Sequence, residues 1–221
     1  MTPFAVLNAL LYSGMPAIDW MTPIAHLNQN GNPPMGPTVP SGASGYYFFD
    51  WEVDYTDAPY LGQSDAVAAS ALVNTEALSL ISAAKVAAPS ALIGFYDLPA
   101  HSGYAGNAAW QMALQPMVDA CDFVAPSLYN ADTTPWIPSW ISYAAMRLAE
   151  MRALTSKPVY PFVWNRYATA PNAPQPIRDW KIQLQWIKEN CDGIILWGGY
   201  QEVWSAESAW WLAAKSVLGL A

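Results

Sequence analysis

Two acidic side chains close an apolar run in the segment FFDWEVDY, which spans residues 48–55. Alternate side chains of a strand point to one face, so Asp50 and Glu52 face the same way, about 6.5–7 Å apart along the strand. Asp54 continues that face. In a partly desolvated site, two such carboxyls repel each other, which raises the pKa of one of them. A glutamic acid whose pKa is raised in this way can donate a proton near neutral pH, and it can therefore act as a general acid.

The spacing of Asp50 and Glu52 limits the reactions in which the two acids could act together. Most glycosidases use two carboxylates on opposite sides of the bond, separated by roughly 5–5.5 Å or 6.5–9.5 Å. A D-x-E pair on one strand approaches from one side only, which fits the substrate-assisted exception. There the acetamido oxygen of an N-acetyl sugar is the nucleophile, one acid protonates the leaving oxygen, and its neighbour steers the acetamido group. The alternative that Asp50 and Glu52 cap or salt-bridge neighbouring loops stays open.

The composition of the chain excludes some function classes. Of the 221 residues, 53% are hydrophobic and 12% charged, against averages near 45–50% and 25%. Twelve Trp and twelve Tyr favour a large core and aromatic platforms on which sugars can stack. Because 17 acidic residues outweigh 9 basic ones, no basic stripe is available to neutralise phosphates, and nucleic acid is not an expected partner.

The sequence shows no clear zinc-binding, nucleotide-binding or disulfide motif. His26 and His101 are far apart in sequence without an evident third ligand, so no zinc site is expected. No glycine-rich nucleotide motif occurs, and no cofactor is implied. Cys121 and Cys191, in the contexts DACDF and ENCDG, are expected to be two buried thiols rather than part of a disulfide framework.

No part of the sequence predicts a membrane span or an export signal. No apolar run approaches the ~20 residues that a membrane span needs. The N-terminal segment MTPFAVLNALLYSGMPA lacks the basic start of a signal peptide and is expected to form a strand. The location of the protein is therefore left open.

Short apolar runs alternate with helical patterns along the chain. The runs YYFFDWE, ALIGFYDL, DFVAPSLY, PVYPFVW and DGIILWG predict buried strands, and AVLNALLYS predicts a weaker sixth. Helices are expected from near Ser64, after Asn107 with a kink at Pro116, from Ser139 as N-cap, from around Pro176 at the first helical position, and after Ser205.

This alternation predicts parallel strands joined by helical crossovers. The strand-to-helix loops are long and the helix-to-strand joints are short, and the long loops build the functional face of a βα barrel. Four aromatic residues close strands that open onto this face: Tyr96, Tyr129, Trp164 and Trp197.

Several of these segments, in this order, resemble the venom-and-sperm-type hyaluronidases. FFDWE is similar to that family's strand ending in D-W-E, GFYDLP to its G-[YF]-Y-x-x-P, and APSLY to its Y-P-S-I-Y. YAAMRLAEMRALTSKPVYPFVWNRY resembles the family's Arg-rich helix and following strand, and DGIILWG its G-x-x-[IV]-x-W-G. The resemblance covers roughly residues 44–205.

The resemblance implies an α/β fold, a distorted or incomplete (β/α) TIM-like barrel of six to seven parallel strands. The whole chain, residues 1–221, would form this single domain, with 1–43 an irregular N-terminal part. One N-terminal βα unit of the family's barrel has no counterpart in the sequence pattern. The implied activity is retaining, acetamido-assisted hydrolysis of N-acetylhexosaminide bonds in a polysaccharide.

The resemblance also implies a role for individual residues. Glu52 would be the general acid/base and Asp50 would position the acetamido group. Tyr96 and Tyr129 would hydrogen-bond that group, and Trp197 would form the apolar floor under the sugar. Trp164 and Asp54, which lie at the same strand ends, are further expected substrate contacts.

The charges of the chain favour a particular substrate. Arg166 is the one clear cation in a strand-to-helix loop, whereas Asp54 and Asp97 lie near the expected groove. A neutral N-acetylated glycan is therefore expected rather than the polyanion hyaluronan.

Three functional hypotheses are compatible with the sequence. The chain is an enzyme, a non-catalytic carbohydrate-binding barrel, or a structural subunit of a larger assembly. A homo-oligomer or a longer parent polypeptide fits the incomplete barrel, and the resemblance favours an extracellular or virion-associated protein.

Overall fold

The chain folds into alternating parallel strands and helices. The computed structural model describes residues 4–10, 13, 15, 21–28, 38–50, 63–97, 108–131, 137–169, 172–198 and 203–220. The strands are β1 (Ala5–Leu10), β2 (Thr22–Asn28), β3 (Gly45–Asp50), β4 (Ala91–Phe95), β5 (Phe162–Trp164) and β6 (Gly193–Gly198). Their order in the sheet is β4-β3-β2-β1-β6-β5, and every neighbouring pair is parallel. The predicted α/β class is confirmed.

The sequence predicts five helices, and the described part of the chain has six, because the second predicted helix is divided in two. They are α1 (Gln63–Ala87), α2 (Ala108–Ala113), α3 (Gln115–Ala120), α4 (Ile137–Leu154), α5 (Ile177–Asn190) and α6 (Ala209–Leu218). The kink predicted at Pro116 is a full break between α2 and α3, and this proline lies in the first turn of α3, where a missing N–H costs nothing.

Two predicted helix starts are wrong by a few residues. Helix α4 begins at Ile137, so Ser139 lies inside the helix and is not its N-cap. Pro138 in the first turn explains the earlier start, because proline is pre-set for that position. Pro176 is the cap residue of α5 rather than its first helical residue.

The strand predictions fail at two places. Strand β2, TPIAHLN, has no β-branched or aromatic run, and the sequence analysis does not predict it. The predicted strand DFVAPSLY forms only isolated bridges, among them Ala125 with Tyr96 and Asn130 with Tyr167. Pro126 lies in the middle of this segment, and because proline cannot donate to a ladder, regular pairing stops there.

The contacts divide the chain into two compact units. The first unit comprises Met1–Pro23, Leu128–Leu148 and Val159–Ala221, and the second comprises Ile24–Ser127 and Ala149–Pro158.

The core of the first unit lies between its strands and helices α4, α5 and α6. Three tryptophans, Trp140, Trp180 and Trp211, are nearly fully buried there. The indole N–H of Trp140 donates to the Leu128 carbonyl at 3.0 Å, and that of Trp180 donates to the Trp210 carbonyl at 3.0 Å. These bonds satisfy donors that would otherwise be costly to bury.

The core of the second unit lies between β3, β4 and helix α1. Phe49 and Phe95 are register partners on the two strands, and their ring centroids are 5.2 Å apart. The buried residues of α1 recur at helical spacing, which gives one apolar face: Val73, Ala77, Ile81 and Ala84.

Gly94 of β4 shows why a small residue is needed in the motif GFYDLP. A Cβ at this position would overlap the Phe123 ring. The absence of a side chain therefore lets Phe123 pack directly on the strand, where it also contacts Tyr46 at a centroid distance of 5.9 Å.

The two Cys–Asp dipeptides form equivalent helix-to-strand joints. Cys121 is the C-cap of α3 and Cys191 the C-cap of α5. Asp122 accepts a hydrogen bond from the Ile93 N–H at 2.7 Å, and Asp192 accepts one from the Val159 N–H at 2.9 Å. The similar contexts in the sequence therefore reflect one structural device used once in each unit.

The Asp122 joint has an additional charged contact. Lys85 at the end of α1 lies 2.6 Å from the Asp122 carboxylate and also donates to the Ala91 carbonyl at 2.6 Å. The carboxylate thus connects the end of α1, strand β4 and the end of α3.

The two cysteines are thiols that differ in burial, because Cys121 is buried and Cys191 is partly exposed. Burial raises the pKa of Cys121 to about 12, so this side chain stays a neutral thiol at pH 8. We therefore expect a maleimide-type reagent to modify Cys191 in the native protein and Cys121 only after denaturation, as measured by mass spectrometry.

Single variants assign the modified residue. Cys121→Ser should be labelled like the wild type, and Cys191→Ser should resist labelling until denaturant is added. Labelling of native Cys191→Ser at the rate of an exposed thiol would contradict the burial of Cys121.

None of the helices in the described part of the chain is both long enough and apolar enough to cross a membrane.

Candidate active site

The end of β3 carries a hydrogen-bonded pair that the sequence analysis does not predict. His26 of β2 is the register partner of Phe48, and the two rings stack with centroids 4.8 Å apart and planes 5° apart. The Nε2 of His26 lies 2.8 Å from the Oδ2 of Asp50. The Nε2–H tautomer of His26 would donate this hydrogen bond to a carboxylate oxygen, which accepts it. These contacts place Phe48 and Asp50 on one face, as strand alternation predicts.

The Asp50 carboxylate is mostly shielded from water and asymmetric in its contacts. Only 15% of the side chain is exposed, and the His26 side chain is 18% exposed. The Oδ1 atom is buried and has no hydrogen-bond partner among the residues that the structure describes. A buried acceptor without a donor is costly, and it binds a donor strongly when one arrives.

Tyr96 lies beside this carboxylate. Phe49 and Phe95 are register partners, and the Tyr96 N–H donates to the Phe49 carbonyl at 2.9 Å. The next residues of the two strands, Asp50 and Tyr96, are therefore neighbours about 4.8 Å apart in the hydrogen-bonding direction and on the same face. The structure thus brings together two of the residues that the sequence analysis selects.

The side chain of Asp97 is buried and makes a hydrogen bond to the backbone. Its side chain is 5% exposed, its carboxylate accepts the Ser127 N–H at 3.0 Å, and its own N–H donates to the Ala125 carbonyl at 2.9 Å. Its φ of 56° lies in the left-handed region, which Asp tolerates better than most residues. The Asp97 side chain is therefore buried and bonded to the backbone of the segment that follows α3.

Three selected aromatic residues lie together in the other unit. Trp164 of β5 and Trp197 of β6 are register partners, and the Tyr129 ring lies 6.2 Å from the Trp164 ring at an angle of 60°. Phe162 supports Trp197 edge-on, with centroids 6.3 Å apart. Tyr129, Trp164 and Trp197 are each half-buried, and this aromatic cluster offers amphipathic surface of the kind that binds sugar rings.

A buried glutamine shapes the chain that follows β5. The Nε2 of Gln175, whose side chain is 4% exposed, donates to the carbonyls of Trp164 at 2.7 Å and Arg166 at 3.2 Å. Its Oε1 accepts a bond of 3.4 Å from Asn130. Sequence reasoning missed Gln175, because nothing in PNAPQPI distinguishes this residue from a solvated loop glutamine.

Arg166, the cation that the sequence places in the loop after β5, is half-buried. Its Nη1 donates to the Asn172 carbonyl at 2.8 Å, and the residue forms an isolated bridge with Pro174. The guanidinium therefore helps to hold its own loop.

The other selected residues lie outside the part of the chain that the structure describes. These are Glu52, Asp54 and His101. Among the described residues, no group of three or more His, Cys, Asp and Glu is placed to hold a metal ion.

The parallel strands and crossover helices define a distorted or incomplete (β/α) TIM-like barrel, which confirms the predicted fold class. No family model and no curated protein matches the chain. Solved structures of two glycoside hydrolases are similar to it in fold, at low sequence identity.

One of the two is bee venom hyaluronidase. In its monoclinic crystal form it matches with a TM-score of 0.59 and 18% identity over 80% of this chain and 70% of that chain. The same enzyme in complex with a hyaluronic acid tetramer matches with a TM-score of 0.55 and 15% identity over 88% of this chain and 79% of that chain. The other is a chitinase from Chromobacterium violaceum ATCC 12472, with a TM-score of 0.51 and 11% identity over 98% of this chain and 100% of that chain.

Proposed function

We propose that the chain is a hyaluronidase-like glycoside hydrolase that cleaves N-acetylhexosaminide bonds of a polysaccharide with retention of configuration. The observation that carries this proposal is the Asp50 carboxylate at the end of β3. Its Oδ2 is held by His26, and its Oδ1 is buried with no hydrogen-bond donor among the described residues. The side chain is 15% exposed, and an acetamido N–H is a donor from which this carboxylate could accept a hydrogen bond. The likeness in fold to two glycosidases supports the same class.

The proposed reaction uses Glu52 and Asp50 in different roles. Glu52 gives its proton to the glycosidic oxygen while the acetamido oxygen attacks the anomeric carbon and the bond to the leaving sugar breaks. Asp50 accepts a hydrogen bond from the acetamido N–H and stabilises the positive charge of the oxazolinium intermediate. Water then attacks the anomeric carbon, Glu52 takes the proton of this water, and the ring opens to the retained product.

The aromatic residues are proposed to orient the substrate. Tyr96, next to Asp50, would hydrogen-bond the acetamido group. Tyr129, Trp164 and Trp197 would pack against sugar faces, and Asp54 would accept hydrogen bonds from hydroxyl groups. We also propose that residues 1–221 form a single hyaluronidase-like domain of this kind.

A neutral N-acetylated glycan is the substrate class that the charges favour. The chain carries a formal net charge of −8, and Arg166 is engaged by the Asn172 carbonyl. A polyanion would meet repulsion on approach, whereas a chitin-like polymer would not. The similarity to a chitinase fold supports this choice.

The test compares two polymers under one set of conditions. We expect chitooligosaccharides to be cleaved faster than hyaluronan, as measured by new reducing ends, with the first product appearing as the retained anomer by NMR. Hyaluronan cleaved faster than chitooligosaccharides would overturn the substrate assignment. An inverted first product would overturn the mechanism.

The aromatic cluster also supports a second candidate function. Tyr129, Trp164 and Trp197 could bind glycan in a barrel that has no catalytic activity. Binding of N-acetylated polymers without any cleavage would favour this non-catalytic carbohydrate-binding barrel.

A further inference from the structure

We propose that His26 is a positioning residue for Asp50, whose hydrogen bond fixes the orientation of the Asp50 carboxylate before substrate binds. This inference rests on the proposed function and adds a residue to it. His26 takes Oδ2 at 2.8 Å, and Oδ1 is the buried oxygen that remains. The pair lies within one compact unit, on two directly paired strands.

The Phe48 ring holds the imidazole of His26 in position. The His26 ring is nearly parallel to the Phe48 ring, with planes 5° apart and centroids 4.8 Å apart. Phe48 is 1% exposed and therefore fixed by the core. Phe48 precedes Asp50 by two residues on the same face of β3, so a single short segment supplies both the support of the imidazole and its hydrogen-bond partner.

The carboxylate needs such a constraint if it is to act on an acetamido group. Rotation about the last torsion of an aspartate is broad and roughly two-fold, so packing alone selects an orientation poorly. A hydrogen bond to one oxygen removes that freedom before substrate binds. In the reaction proposed above, this keeps the negative charge directed at the acetamido nitrogen, where positive charge develops.

A purely structural role would give a different result. Five successive residue pairs already join β2 to β3, from Ile24 with Tyr46 to Asn28 with Asp50. The backbone ladder therefore holds the two strands without the side-chain bond. Removal of the His26 donor should lower the thermal unfolding temperature, because the Asp50 carboxylate loses its partner, but it should preserve the fold and affect the turnover step.

Two substitutions distinguish the effect of the His26 hydrogen-bond donor from the effect of its aromatic ring. His26→Phe keeps a flat ring on Phe48 and removes the N–H. His26→Gln removes the ring and keeps an N–H at a similar distance from the backbone. On an N-acetylated oligosaccharide, we expect His26→Phe to lower kcat by about 10- to 100-fold with KM nearly unchanged. His26→Gln should recover most of that loss.

A double variant tests whether His26 acts through Asp50. In an Asp50→Asn background, adding His26→Phe should change kcat by less than about twofold, because the group that it positions is already inactive. An equally large loss in that background would show an independent role and overturn the proposal. If His26→Phe does not fold, as judged by thermal unfolding, His26→Asn replaces it, since the shorter amide does not reach Oδ2.

The outcomes distinguish this inference from the proposed function. Wild-type hydrolysis with full kcat in His26→Phe would overturn the positioning role and leave the hydrolase assignment intact. A wild-type protein that cleaves no N-acetylated polymer would overturn the hydrolase assignment, and the positioning role would fall with it.

Discussion

Glu52→Gln is expected to lower kcat for an N-acetylated polysaccharide by about 10²-fold or more and to leave glycan binding nearly unchanged. Glutamine has the size and polarity of a protonated glutamic acid but cannot release a proton to the glycosidic oxygen. The loss should therefore appear in the chemical step. Steady-state kinetics on the oligosaccharide, with calorimetric titration of the same ligand, measure both effects.

Glu207→Gln is the matched control for this variant. It makes the same chemical change at an exposed residue just before α6, and we expect its kcat to equal that of the wild type. Glu52→Gln with kcat within twofold of the wild type would show that another group supplies the proton. Loss of binding together with activity would place Glu52 in substrate recognition instead.

Asp50→Asn is expected to lower kcat by about 10²- to 10³-fold, the usual effect of removing one preorganised electrostatic contact from a transition state. The amide is close in shape to the carboxylate and keeps an oxygen that can accept the His26 hydrogen bond. It has no negative charge to oppose the charge of the oxazolinium intermediate. The measurement is kcat on the oligosaccharide, beside a thermal unfolding curve that reports on the fold.

The leaving group distinguishes the two acidic residues. The nitrophenolate of a nitrophenyl N-acetylglycoside departs without a proton, so this substrate should restore much of the rate of the first step, formation of the intermediate, in Glu52→Gln. The same substrate should restore little in Asp50→Asn, because formation of the intermediate still lacks its negative partner. Equal restoration in both variants would contradict the separate roles that we assign to them.

Strand alternation was enough to predict how the end of β3 is arranged. The segment FFDWE predicts that Phe48 and Asp50 share a face, and both side chains contact His26. Strand-end aromatics are also predictable, because the positions of Trp164 and Trp197 follow from where two apolar runs stop. The structure pairs these two tryptophans in register on adjacent parallel strands.

Contacts between distant segments were beyond sequence reasoning. His26 is 24 residues from Asp50 in the chain, and its strand TPIAHLN has a proline and no run of β-branched or aromatic residues of the kind that marks most strands. The register of β2 against β3 is decided by the packing of both faces, which a local pattern does not contain. Given that register, His26 would have been found, since it is the only histidine in β2.

The loop after β5 shows a second kind of limit. Its form depends on Gln175, which donates to two carbonyls of the chain that it follows. Satisfaction of buried carbonyls is a property of the folded backbone, and the identity of the residue that supplies the donor is not visible in composition or periodicity.

The paired Cys–Asp joints bear on how this protein can diverge and be engineered. Each aspartate fastens the end of a helix to a backbone N–H in its own unit, that of Ile93 in β4 or that of Val159 just before β5, so neither bond involves the loops that follow the strands. Those loops can then be lengthened, shortened or exchanged at small cost in folding free energy. Exchange of those loops would then test whether they determine the sugar preference that we propose for this chain.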